Sequence, residues 1–151
     1  MKGIVFEEEQ KFTQLWLWLL LGGLFLWSVY GAYSNNKLPN MWFGVIVIAV
    51  VGLFFLVTKL TTQIDSKGIH IYFFPLVRRS YIWEELESVE IINYGFIGGW
   101  GIRLWTPYGT AYNIKGNKGI ALTLKNGKKV LIGTQKAEEL KDMLHQFTQK
   151  K

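Results

Sequence analysis

Arg78 and Arg79 stand side by side, and a few residues later Glu84, Glu85, Glu87 and Glu90 crowd into one short stretch. Adjacent guanidinium groups can grip a phosphate through paired hydrogen bonds, and paired carboxylates can divide acid and base roles between them. The glutamates punctuate a turn and an exposed strand with no nucleophile beside them, so they read as solvated surface. The arginines read either as contacts for an anionic group or as ion-pair partners of those glutamates. A second candidate is the glycine-dense loop from Gly95 to Gly101. A phosphate-binding loop needs Lys-Ser/Thr after its last glycine, but Ile102 and Arg103 follow here. The loop therefore reads as a tight turn, with Phe96, Ile97 and Trp100 at a tip that could touch lipid. Arg78, Arg79, Trp100 and Arg103 are the candidate contacts for a headgroup or a partner.

Catalytic and metal chemistry find little support. His70 and His145 are the only histidines, and neither has a second ligand at metal-binding spacing. There is no cysteine, which excludes disulfides, thiolates and cysteine-bound zinc. No cofactor motif is present, and the expectation is a protein without catalytic residues.

The elements that must carry these residues begin with two charge-free apolar runs, Leu15 to Tyr33 and Met41 to Thr58, separated by a polar turn from Ser34 to Asn40. A lipid core about 30 Å thick needs roughly 20 apolar residues of helix. Trp16 and Trp18 at one end of the first run and Tyr30 and Tyr33 at the other suit the headgroup level. Glu7, Glu8 and Glu9 argue against a cleavable signal peptide, whose start is positive. Lys2, Lys11, Lys59, Lys67, Arg78 and Arg79 flank the pair, against Lys37 alone in the turn, which places both termini in the cytoplasm. Neither run holds an ionisable residue, as a transport pathway generally would. Gly23 with Gly31, and Gly44 with Gly52, are spaced to let the helices approach closely.

After Leu60 the pattern changes to period two. Strands are expected at Thr61–Asp65, Ile69–Phe74, Arg79–Trp83, Ser88–Tyr94, Ile102–Trp105, Ala111–Ile114, Gly119–Leu124 and Lys128–Ile132, with a helical turn at Glu84–Leu86. Asn126-Gly127 is the strongest hairpin signal, suited to a type I′ turn. Thr134 is placed to cap a final helix striped by Ala137, Leu140, Leu144 and Phe147. The division is a flank at 1–14, a helical hairpin at 15–58 (spans 15–33 and 41–58) and a β-rich domain at 59–151. The net charge of +6 lies mostly in that last part. Its bases are scattered rather than clustered, which favours weak attraction to anionic lipid over nucleic acid.

About seven short strands closed by a C-terminal helix, behind a transmembrane hairpin, resemble the bacterial pleckstrin-homology-like (PH-like) membrane proteins of unknown function. The residues that carry the resemblance are Tyr81-Ile82-Trp83-Glu84-Glu85-Leu86, Gly99-Trp100-Gly101-Ile102-Arg103, Ala111-Tyr112-Asn113, Gly116-Asn117-Lys118-Gly119, and Ile132-Gly133-Thr134-Gln135 with Glu138-Glu139-Leu140. The resemblance implies a membrane helical hairpin plus a mainly β domain of α+β class, a PH-like antiparallel barrel, and supplies no catalytic residue. Only Lys67 occupies the turn where many PH domains carry phosphoinositide-binding bases. The expectation is a non-enzymatic, multi-pass inner-membrane protein. Its cytoplasmic domain would bind a protein partner or a second copy, with weak headgroup contact. The alternative is a membrane-bound enzyme or accessory subunit acting on a lipid or glycan through Glu84, Glu85, His70 and Tyr112.

Overall fold

A computed structural model of the chain describes residues 5–34 and 39–148, without the side chains of 39–41 and 146–148. Lys2, Lys37 and the side chain of Phe147 lie outside the described residues. The chain forms two compact units, Phe12–Thr58 on the one hand, and Met1–Lys11 with Lys59–Lys151 on the other.

The first unit is two apolar helices, α1 (Leu15–Ser34) and α2 (Pro39–Val57). The helices pack on each other, and Ser28 Oγ faces Gly44 at the contact. Gly23 and Gly52 face open space, so they are not the points of close approach that their spacing implies. Apolar side chains such as Trp27 and Ile46 are exposed on the outside of the pair. Helix α1 is long and apolar enough to cross a membrane. The apolar stretch of α2 within the fully described residues, Trp42–Val57, is shorter than a full crossing. Among the described residues one helix is long and apolar enough to cross a membrane, where the sequence predicts two.

The second unit begins with a strand that the sequence pattern does not predict. Strand β1 (Phe6–Lys11) buries alternate residues, and those are Phe6, Glu8 and Gln10. Polar residues on the inward face hide the period-two signal. Strand β1 pairs antiparallel with β2 (Lys59–Ile64), from Phe6↔Ile64 to Lys11↔Lys59. Strands β3 (Gly68–Phe74) and β4 (Val77–Ile82) complete a four-stranded antiparallel sheet in the order β1-β2-β3-β4.

A 3-10 turn at Trp83–Glu85 leads into a five-stranded sheet. Its strands are β5 (Leu86–Asn93), β6 (Gly101–Thr106), β7 (Gly109–Asn113), β8 (Lys118–Leu124) and β9 (Lys129–Gly133), in the order β5-β8-β9-β7-β6. Strands β7 and β9 run parallel, so this sheet is mixed. There are nine strands among the described residues, in two open sheets, where the resemblance implies one antiparallel barrel of about seven strands closed by a C-terminal helix. A chain-remote strand in the first sheet and a parallel pair in the second are both long-range choices that local alternation cannot encode.

The 124–128 hairpin also differs from expectation. Only Gly127 has positive φ, at 82°, and its amide donates to Leu124 O at 2.8 Å. This is a type I turn followed by a glycine bulge rather than type I′, which needs two positive φ values. The core comprises Leu60, Ile64, Ile69, Ile71 and Phe73 from the first sheet and Ile120, Leu122, Leu131 and Ile132 from the second. Each such burial is worth about 1.5–3 kcal/mol. Helix α3 (Ala137–Thr148) adds buried Ala137, Leu140 and Met143. Lys136 stands at the helix N-cap, while Thr134 Oγ1 accepts the Lys136 amide two residues earlier, at 3.0 Å.

Candidate functional site

Strand β4 is an edge strand, and successive side chains on a strand point to opposite faces. Arg78 and Arg79 therefore diverge and do not form a paired phosphate clamp. Arg78 lies opposite Tyr72 on β3, its guanidinium 5.9 Å from the ring centroid. Arg79 shares its face with Tyr81 and lines a cleft of about 620 Å³ with Tyr112, Lys128, Lys129 and Glu85. Among the described residues neither arginine forms an ion pair with the glutamates of 84–90.

Inside this cleft the Tyr81 hydroxyl is held in its protonated form. Burial is the main cause, reinforced by the Tyr112 hydroxyl beside it and opposed by the charge of Arg79. Three cations face one carboxylate across the cleft. Such an arrangement suits an anionic group better than proton transfer, since a phenol held this firmly is a poor acid near neutral pH.

The glycine loop and β6 form a neighbouring region, and Leu104 and Trp105 of β6 also line the Arg79 cleft. Asn113, buried on β7, donates to Gly99 O at 3.3 Å and ties the loop down. The Arg103 guanidinium packs so closely over Gly99 that a Cβ there would lie 2.0 Å from its Nη2. Ile97 packs inward against Tyr94, Ala111 and Leu131, so it is not part of an exposed tip. Phe96 and Trp100 meet edge to face at 6.3 Å, and Phe96 is 76% exposed. Beside them Leu104 is 55% and Trp105 94% exposed. Trp105 is also the one non-glycine with positive φ (57°) among the described residues, and it sits in a register break of β6. A bulky residue held in that conformation is a genuine outlier. Trp105 was not among the predicted contacts; its only sequence signal is an aromatic residue placed just before a Thr-Pro-Tyr-Gly turn.

The four predicted contacts thus fall in three places: Arg78 over Tyr72, Arg79 in the cleft, and Trp100 with Arg103 on the glycine loop. The residues of the enzyme alternative also divide. Glu85 and Tyr112 line the cleft, and Glu84 is exposed on the 3-10 turn. His70 pairs with Ser80 (2.9 Å) and Asp65 (3.2 Å) on the sheet face opposite Tyr81. His145 lines a groove of about 450 Å³ between β5 and α3, near the Lys118–Glu138 ion pair. Among the described residues no cluster of His, Asp or Glu could hold a metal.

Comparison of the chain with protein-family models, with curated proteins and with solved structures found no match.

Proposed function

We propose that this chain is a non-enzymatic, multi-pass membrane protein. Its helical hairpin holds a cytoplasmic PH-like domain that engages a protein partner, or a second copy of itself, at the membrane surface. The membrane part rests on parity. Strands β1 and β2 flank α1 and α2 in the chain and pair residue for residue down to Lys11↔Lys59. Their backbones share one side of any bilayer, so the segment between them crosses an even number of times. A crossing by α1 requires a second by α2, whose shorter apolar stretch is accommodated by local thinning of the bilayer and by snorkelling of flanking residues. Lys11 and Lys59 at the two membrane exits favour the cytoplasmic side.

The observation that carries the interaction is the exposed, conformationally strained Trp105 on the edge strand β6, with Leu104 next to it and Phe96 and Trp100 on the loop that precedes the strand. Contiguous exposed apolar patches on soluble faces mark interaction surfaces, and Trp is prominent at their energetic centres. The test is a photo-crosslinker on Trp105→Cys in the full chain in its own membranes, with Glu84→Cys as control. One discrete protein adduct from position 105 that is absent from position 84, and that Leu104→Ser abolishes, supports the proposal. Equal labelling from both positions, or none, overturns it. Reporters fused to each terminus should both read cytoplasmic.

A further inference from the structure

The two ends of the four-stranded sheet differ in chemistry, and the register shows from which end the chain leaves for the helices. Lys11 pairs with Lys59, and Lys59 pairs with Phe74. The chain enters α1 from Lys11 through Phe12–Gln14 and returns from α2 to Lys59 through Thr58 alone. The β3–β4 turn, Phe74-Pro75-Leu76-Val77, is therefore at the sheet end from which both connections leave.

Apart from Pro75, an ordinary turn residue, that turn is apolar where solvent-facing turns favour Gly, Pro, Asn, Asp and Ser, and Leu76 at its tip is 54% exposed. The turn at the other end, Asp65-Ser66-Lys67-Gly68, is polar, with Asp65 Oδ1 accepting the Lys67 and Gly68 amides at 2.7 and 3.0 Å. Behind the apolar tip, the exposed face carries Tyr72 and Phe74, whose rings meet at 5.6 Å, and Arg78 over Tyr72. Lys11, Lys59 and Arg78 outnumber the single carboxylate there, Glu9, which pairs with both lysines (3.0 and 2.6 Å).

Aromatic rings flanked by cations around an apolar tip are the composition of an interfacial anchor. We propose that the Phe74–Val77 turn, with Tyr72 and Arg78, is a third membrane attachment. Leu76 lies at the headgroup–acyl boundary, and the cations of this end face anionic phosphates. The proposal rests on the membrane reading above. It assigns Arg78 to lipid and leaves Arg79 and Trp105 to other faces.

The absence of native cysteine allows a clean test in the full chain. Single variants Leu26→Cys, Leu76→Cys and Ser66→Cys are labelled with an environment-sensitive fluorophore and placed in phosphatidylcholine–phosphatidylglycerol vesicles containing brominated lipid. Position 26 should be quenched as a mid-helix probe. Position 76 should be quenched at least about threefold more than position 66, which is roughly 20 Å away along the sheet. Quenching at 26 with equal values at 76 and 66 overturns the anchor alone. No quenching at 26 overturns the membrane reading and the anchor with it.

Discussion

The carboxylate of Glu8 accepts hydrogen bonds from the Thr134 hydroxyl and the Gln135 amide (2.7 Å), joining residues more than 120 positions apart. Gln10 adds a bond from its Nε2 to Gly133 O at 2.8 Å. A strand that precedes the helices is thus fastened to the junction of β9 and α3. Leaving the buried Thr134 hydroxyl and the part-buried Gln135 amide unpaired costs about 1–3 kcal/mol. Glu8→Ala should lower domain stability by that order in denaturant melts of the detergent-solubilised chain. Thr134→Val on the Glu8→Ala background should cost much less than alone, because the two share one interaction.

Lys11 and Lys59 are direct cross-strand partners, so their backbones are about 5 Å apart. Replacing residues 12–58 by Asn-Gly should therefore yield a water-soluble, cooperatively folded domain. A 59–151 fragment lacks β1 and exposes one side of β2, which invites edge pairing. It should aggregate or melt well below the joined chain in calorimetry.

Trp105 trades stability for exposure. A non-glycine residue in the left-handed region costs about 1–2 kcal/mol, and Asn tolerates it better. Trp105→Asn should raise the unfolding midpoint by an amount corresponding to roughly 0.5–1 kcal/mol, while a photo-crosslinker placed nearby on Phe96→Cys should lose in that background the partner adduct it gives beside Trp105. A stabilised variant that still binds would separate the strain from the interaction.

Gly99 has φ of 132° and lies under the Arg103 guanidinium. Gly99→Ala should destabilise the domain by about 1–3 kcal/mol through both strain and clash. Adding Arg103→Ala should restore part of that loss, since it removes the clash but not the strain. Thermal melts of the three variants check this.

Asp65 titrates below its ordinary value of 3.8, chiefly because its carboxylate accepts the Lys67 amide, with further help from His70 and the Gly68 amide. Its folded pKa is depressed, so the stabilisation is complete above the unfolded value and is lost as pH falls through the folded one. Asp65→Asn should flatten that part of the stability profile below about pH 4, measured by denaturant midpoints across pH. An unchanged acid limb would show that another carboxylate governs it.

Much of the domain is legible locally. The Ile69–Phe74 alternation, the Pro75 stop and the Asn126-Gly127 turn each place an element within a residue or two, because local backbone preference and one-sided burial act along consecutive residues. Strand β1 is not legible, since Glu8 and Gln10 are acceptable inside only through partners supplied by residues 133–135. The candidate contacts show the same division. The residue types at 78, 79, 100 and 103 are evident in the sequence, but alternation on β4 separates the two arginines, and only the positive φ at 105 reveals Trp105.

The sequence by itself determined the apolar helices, the strand-rich remainder and the absence of thiol chemistry, because composition and short-range periodicity carry those facts. Tertiary structure alone decided that the domain is assembled from both sides of the helical segment. It also decided that the sheets stay open and that the apolar β3–β4 turn shares an end with Lys11 and Lys59. Register and long-range hydrogen bonds set those outcomes, and they depend on which distant residues satisfy a buried polar group.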